Sequence, residues 1–152
     1  MAGLPPDMSL ALAAETGDYP RLQEFVDRSC EQAGCSPGQR MRVQLVIEEL
    51  FSNTVKYGQR GGTPASVSIS VKFGDEEPMT LQYEDDAPQH DAFDQDNLED
   101  ELKVSVTKRR VGGLGILLIR ELGRNVQYEW SGGKNRVTFS VAMDTPWPRR
   151  PR

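Results

Sequence analysis

One histidine and two cysteines in 152 residues leave little material for a soft-metal site. The cysteines, Cys30 and Cys35, are spaced CEQAGC, and no second Cys or His pair completes a zinc set. An excess of basic charge is also lacking. The formal net charge is −5, and the cation run Lys108-Arg109-Arg110 is short, so a nucleic-acid surface is not expected. Long apolar runs are absent. The longest, around residues 115–119, falls far short of the roughly 20 residues that span a bilayer. The start of the chain has no basic stretch followed by an apolar one, which argues against a signal peptide. A cytoplasmic chain with reduced thiols, and no membrane or direct nucleic-acid partner, is the expectation.

The length suits one domain with a real core. Residues 9–15 alternate Leu10, Leu12 and Ala14, as a half-buried strand does. Residues 18–33 place Leu22, Phe25, Val26, Ser29 and Cys30 at helical spacing, and Gly34 stops them. A second helix begins with Ser36 as N-cap, Pro37 in the first turn and Gln39 to close a capping box. It runs to a break over residues 58–64.

Residues 65–73 alternate strictly, with Val67, Ile69, Val71 and Phe73 on one face and Ser66, Ser68, Ser70 and Lys72 on the other. Residues 74–78 turn the chain into a second strand over 79–84. A charged, aperiodic connection covers 85–111, longer than compact domains usually carry without a function. A helix over 114–122 follows, then strands at 125–130 and 135–142 joined by Ser131-Gly132-Gly133-Lys134. This order predicts an α+β two-layer sandwich: a mixed, mostly antiparallel sheet with helices on one face. Residues 1–8 and 145–152 are expected to be flexible flanks of a domain spanning 9–144.

Three segments carry chemistry. In QLVIEELFSNTVKYG, Glu49 and Asn53 lie four apart on one helix face, with Lys56 beyond them. A carboxylate, a carboxamide and an ammonium so arranged can supply a base, an oxygen ligand for Mg²⁺ and a cation for phosphate. Alone, such a pair is more often a plain polar face. In EDDAPQHDAFD, Asp85 ends a strand, where a carboxylate can accept a ligand amino group; a simple turn is the bland alternative. In VGGLGILLIREL, glycines open a helix, and its free N–H groups favour an anion. This is neither a Walker A loop nor a dinucleotide fingerprint.

Together, in this order, the segments resemble the GHKL superfamily of ATPases. More closely, the chain is similar to the anti-sigma-factor serine kinases of the RsbW type over residues 9–142. EELFSNTVKYG resembles the N-box, EDDAPQHDAFD the first glycine box, and GGLGILLIRELGRNVQYEWSGGKNRVTFS the second glycine box with its closing hairpin. The resemblance implies the Bergerat, or histidine-kinase-like, ATPase fold, with ATP and Mg²⁺ as cofactors. It implies that Asn53 ligates Mg²⁺ and Glu49 is the general base toward a substrate hydroxyl. Lys56 would reach phosphate, with Tyr57 beside the nucleotide. Asp85 would take the adenine amino group, with Ala87 next to it and Thr138 helping from the last strand. Lys108 or Arg109 would approach the phosphates from a lid, and Gly113, Leu114 and Gly115 would line them.

The implied activity is protein serine/threonine kinase and anti-sigma factor. The implied partners are a STAS-domain antagonist that accepts phosphate, a sigma factor or other regulatory target, and a second copy of the chain. Ala87 stands where such proteins often have Gly, and alanine disfavours a positive φ. A histidine autokinase would need a phosphoacceptor helix, which is not expected ahead of this domain; His90 reads as an exposed loop residue. A nucleotide-holding interaction module without transfer, or a plain ATP hydrolase, are the alternatives.

Overall fold

The computed structural model describes residues 3–58, 61–89 and 124–141. Its elements are strand β1 (Met8–Ala13), helix α1 (Tyr19–Ala33), helix α2 (Pro37–Tyr57), and strands β2 (Ser66–Phe73), β3 (Met79–Asp85), β4 (Arg124–Ser131) and β5 (Lys134–Val141). A single 3₁₀ turn, Thr16–Asp18, leads into α1. Each expected strand and the two expected helices within the described residues are present, with ends shifted by one or two residues. The expected helix over 114–122, most of the connection and the C-terminal flank lie outside the described residues.

The five strands form one sheet in the order β1-β2-β3-β5-β4, and each neighbouring pair is antiparallel. The fold is therefore α+β as expected, and every strand pairing among the described residues is antiparallel. β3 pairs with β5, not with β4, and β4 forms the sheet edge beyond β5.

The register follows the apolar alternation. Leu10 and Leu12 face Ile69 and Val67; Ile69 and Val71 face Tyr83 and Leu81; Leu81 and Tyr83 face Phe139 and Val137. These side chains make the inner face, all buried but Leu10, which is partly buried. The other face carries Ser68, Ser70, Thr80, Gln82 and Thr138, where Arg136 pairs with Glu84 at 2.7 Å. A sheet with one apolar and one polar face packs its helices on the apolar side alone.

Helix α1 buries the stripe Leu22, Phe25, Val26, Ser29 and Cys30. The capping box of α2 forms as expected: Gln39 N–H donates to Ser36 Oγ at 3.1 Å, and Ser36 N–H donates to Gln39 Oε1 at 2.8 Å. Such a cap satisfies two of the free donors at a helix start and contributes about 1 kcal/mol. α2 buries more than one stripe, from Val43, Val46, Ile47 and Leu50 to Glu49 and Thr54. Gln39, Arg42, Glu49 and Thr54 make it the element that buries the most polar side chains among the described residues.

Two backbone details matter downstream. The β4–β5 turn has Gly132 and Gly133 at φ 61° and 77°, the doubly left-handed turn that matches strand twist. Gly58, which ends α2, has an ordinary φ of −89° but no room for a side chain. A Cβ there would lie 2.4 Å from the Thr54 carbonyl oxygen and 2.7 Å from Ala65 Cβ. The absent Cβ lets the end of α2 sit against the start of β2.

Candidate functional site

The last two turns of α2 and the ends of β3 and β5 enclose one pocket, whose lining includes Leu50, Asn53, Tyr57, Asp85, Tyr128 and Val137. Asp85 is the polar centre of its wall. Its Oδ2 accepts from Thr54 Oγ1 at 2.8 Å; its Oδ1 accepts from Asn135 Nδ2 at 2.8 Å and from the Ala87 N–H at 3.2 Å. A carboxylate can accept about four hydrogen bonds, so these three leave one position on Oδ2.

Each of those partners is itself fixed. The Tyr83 hydroxyl lies 2.7 Å from Thr54 Oγ1. Thr54 has one proton; when it goes to Asp85, the bond with Tyr83 must be donated by the phenol. Tyr83 is 2% exposed, and burial pushes its ionisation well above the ordinary phenol range, with the Asp85 charge adding to it and the bond with Thr54 opposing. The phenol therefore remains a donor. Tyr128 O–H donates to Asn135 Oδ1 at 2.6 Å, which sets the amide so that Nδ2 points to Asp85 and to the carbonyl oxygens of Ala87 and Pro88.

Just before Thr54 on α2, Asn53 Nδ2 donates to Glu49 Oε1, one turn back, at 3.4 Å. With the amide nitrogen on the Glu49 side, Asn53 Oδ1 faces away from that carboxylate and is an oxygen able to ligate a hard cation. Glu49 is buried and Asn53 half-buried, while Lys56 and Tyr57 are exposed. Among the described residues there is no group of three His, Cys, Asp or Glu side chains able to cage a metal. The remaining acceptor of Asp85, with apolar walls from Leu50 and Val137 and rings from Tyr57 and Tyr128, suits a flat base bearing an amino group.

The structure thus brings Asn53, Tyr57, Asp85 and Ala87 to one pocket, with Glu49 adjoining through Asn53. Ala87 does not need the left-handed conformation that would favour glycine: Asn125 is the non-glycine residue with positive φ among the described residues. Its N–H supports Asp85 instead.

Thr138 requires a correction. It lies opposite Gln82 on the polar outer face, whereas Asp85 lies opposite Asn135 on the inner face. Side chains two or four residues apart share a strand face, and an offset of three puts Thr138 on the wrong one. Lys108, Gly113, Leu114 and Gly115 lie outside the described residues, as do Arg109 and His90.

Thr54, Tyr83, Tyr128 and Asn135 escape sequence reasoning. Thr54 is the one with a local signal, because it follows Asn53 on a helix with a narrow polar face. The others have meaning only through the sheet register.

No helix among the described residues is long and apolar enough to cross a membrane. Among curated proteins, none matches the chain in sequence. The solved structure of Acinetobacter baumannii histidine kinase AdeS is similar over 90% of this chain and 68% of that chain, with 19% identity and a TM-score of 0.48. The family model for the histidine kinase-like ATPase domain matches residues 12–141, from β1 through β5 and across the site just described. The chain therefore belongs to the histidine kinase-like ATPase domain family, the GHKL group, whose members are ATP-using domains.

Proposed function

We propose that this chain is an ATP- and Mg²⁺-dependent protein serine/threonine kinase of the RsbW type. In this reading it phosphorylates a STAS-domain antagonist, sequesters a sigma factor or other regulatory target as an anti-sigma factor, and works as a homodimer. The observation that carries the reading is the pair Glu49 and Asn53, 3.4 Å apart on α2, with Asn53 lining the pocket. A hydrolase needs a base for water and a kinase needs one for a hydroxyl. A carboxylate one turn from the metal ligand can serve a partner's serine at the γ-phosphate.

The chain's own residues divide the work. Asp85 orients the base through its amino group, held by Thr54, Asn135 and the Ala87 N–H. Asn53 offers Oδ1 to Mg²⁺, which when bound neutralises phosphate charge. Glu49 accepts the proton that the attacking hydroxyl loses. Lys56, exposed near the end of α2, supplies a cation toward phosphate. Added charge on the phosphorylated antagonist then disfavours its interface with the kinase.

The test is transfer of labelled γ-phosphate from ATP to a STAS-domain antagonist, with Glu49→Gln as the comparison. Wild type should transfer, and Glu49→Gln should bind ATP yet transfer at least about 100-fold less, the loss expected for a missing general base. ATP binding without transfer to any antagonist would sink the kinase reading and leave an interaction module. Rapid turnover by the chain alone would favour a plain hydrolase.

A further inference from the structure

The two thiols of the chain meet where α1 ends. Gly34 takes the left-handed conformation, φ 71°, and two backbone bonds close the helix. Gly34 N–H donates to Glu31 O at 3.2 Å, and Cys35 N–H donates to Cys30 O at 2.9 Å. These are the two bonds of a Schellman motif, which folds the residue after the glycine back over the last turn and places an apolar pair there. Here that pair is Cys30 and Cys35. A disulfide needs α-carbons about 4.4–6.8 Å apart, and a direct bond between the two residues' own backbones keeps them near.

The two cysteines differ in access and in charge. Cys30 is fully buried, whereas Cys35 is half-buried and lines a surface groove with Asp27, Pro37, Arg40 and Met41. The neighbouring Cys30 thiol draws Cys35 toward the thiolate, with burial opposing and Arg40 helping, while Cys35 and burial hold Cys30 as the protonated thiol. The accessible sulfur is the better nucleophile, and the buried one is placed to resolve what forms on it.

We propose that Cys30 and Cys35 form a reversible redox-modification site, with a peroxide as oxidant and an intrachain disulfide as product. The Cys35 thiolate attacks one oxygen of hydrogen peroxide. The O–O bond breaks, a sulfenic acid forms, and hydroxide leaves to become water. The Cys30 sulfur then attacks the Cys35 sulfur. The S–S bond forms, and the sulfenic hydroxyl leaves as water with the Cys30 proton. Two thiols and one peroxide give one disulfide and two waters, the sulfurs losing the two electrons that the peroxide gains.

The site sits at the start of α2, and Asn53 lies sixteen residues beyond Pro37, about 24 Å along the helix. Oxidation therefore acts on the α1–α2 junction and not in the base pocket, and it does not depend on the kinase reading.

The experiment treats reduced, folded wild type with one equivalent of hydrogen peroxide, then alkylates and measures intact mass and the peptide map. The expected result is loss of two hydrogens, both thiols protected from alkylation, a Cys30–Cys35 cross-linked peptide, and full reversal by dithiothreitol. Cys35→Ser should form no cross-link. The wild-type readout stands even if that variant folds poorly. Thiols that remain alkylable, oxygen addition confined to Cys35, or disulfides only between chains would each overturn the proposal and leave the pair as the apolar contact of a helix end.

Discussion

Thr54 Oγ1 donates to Asp85 Oδ2 at 2.8 Å, so a single hydroxyl fastens the last turns of α2 to the end of β3. Asn53 is the residue before Thr54, and both Asn53 and Asp85 line the pocket. The proposed metal ligand and the proposed base acceptor are therefore held in register by one hydroxyl.

Replacing that hydroxyl by a methyl group tests the link. Thr54→Val keeps the shape but removes the donor to a charged acceptor, a loss of about 1.5–3 kcal/mol where it is felt in full. ATP binding measured by calorimetry should weaken by about 10-fold or more, at roughly 1.4 kcal/mol per decade. Unchanged affinity would show that Asn135 and the Ala87 N–H suffice to hold Asp85.

Asn135 and Thr138 make a paired test of sheet parity. Asn135→Ala removes a 2.8 Å bond to Asp85 and leaves the Tyr128 hydroxyl without its acceptor at 2.6 Å. It should weaken ATP binding by about 10-fold, as losing a hydrogen bond to a charged group does. Thr138→Val, on the outer face, should leave affinity within about twofold, since surface changes are mostly within ±0.5 kcal/mol. The reverse ranking would mean that the base is read from the other face.

Tyr83 predicts the alkaline limb of stability. In the unfolded chain its phenol ionises near pH 10. In the folded chain burial holds it protonated well above that. The native state then binds one more proton than the unfolded state, and stability falls as pH rises past about 10, by up to about 1.4 kcal/mol per pH unit. Urea unfolding at pH 9 and 11 should show Tyr83→Phe with the shallower fall. Equal slopes would mean that the phenol ionises in place.

Gly58 predicts a steric cost. Gly58→Ala puts a Cβ 2.4 Å from the Thr54 carbonyl and 2.7 Å from Ala65 Cβ, so the end of α2 must shift. Overpacking of this kind costs about 1–3 kcal/mol. Gly38→Ala, whose Cβ would meet only Ser36 Oγ at 3.9 Å, is the control and should be nearly neutral in urea melts. Equal behaviour of the two would show that the helix end gives way freely.

The sequence by itself determined the local pieces, because each is set by neighbours within a few residues. Ser36, Pro37 and Gln39 start α2; Gly34 ends α1; Gly132 and Gly133 turn the last hairpin; the alternation from Val67 to Phe73 makes a strand with one apolar face. The same locality made Glu49 and Asn53 legible as a pair. Tertiary structure decided who supports Asp85. Thr54 is 31 positions away and Asn135 is 50 positions away, and both arrive only because β3 lies between β2 and β5 beneath α2. Strand parity then chose Asn135 over Thr138: an odd offset along a strand sends a side chain to the opposite face, and register is fixed only once the strands have paired.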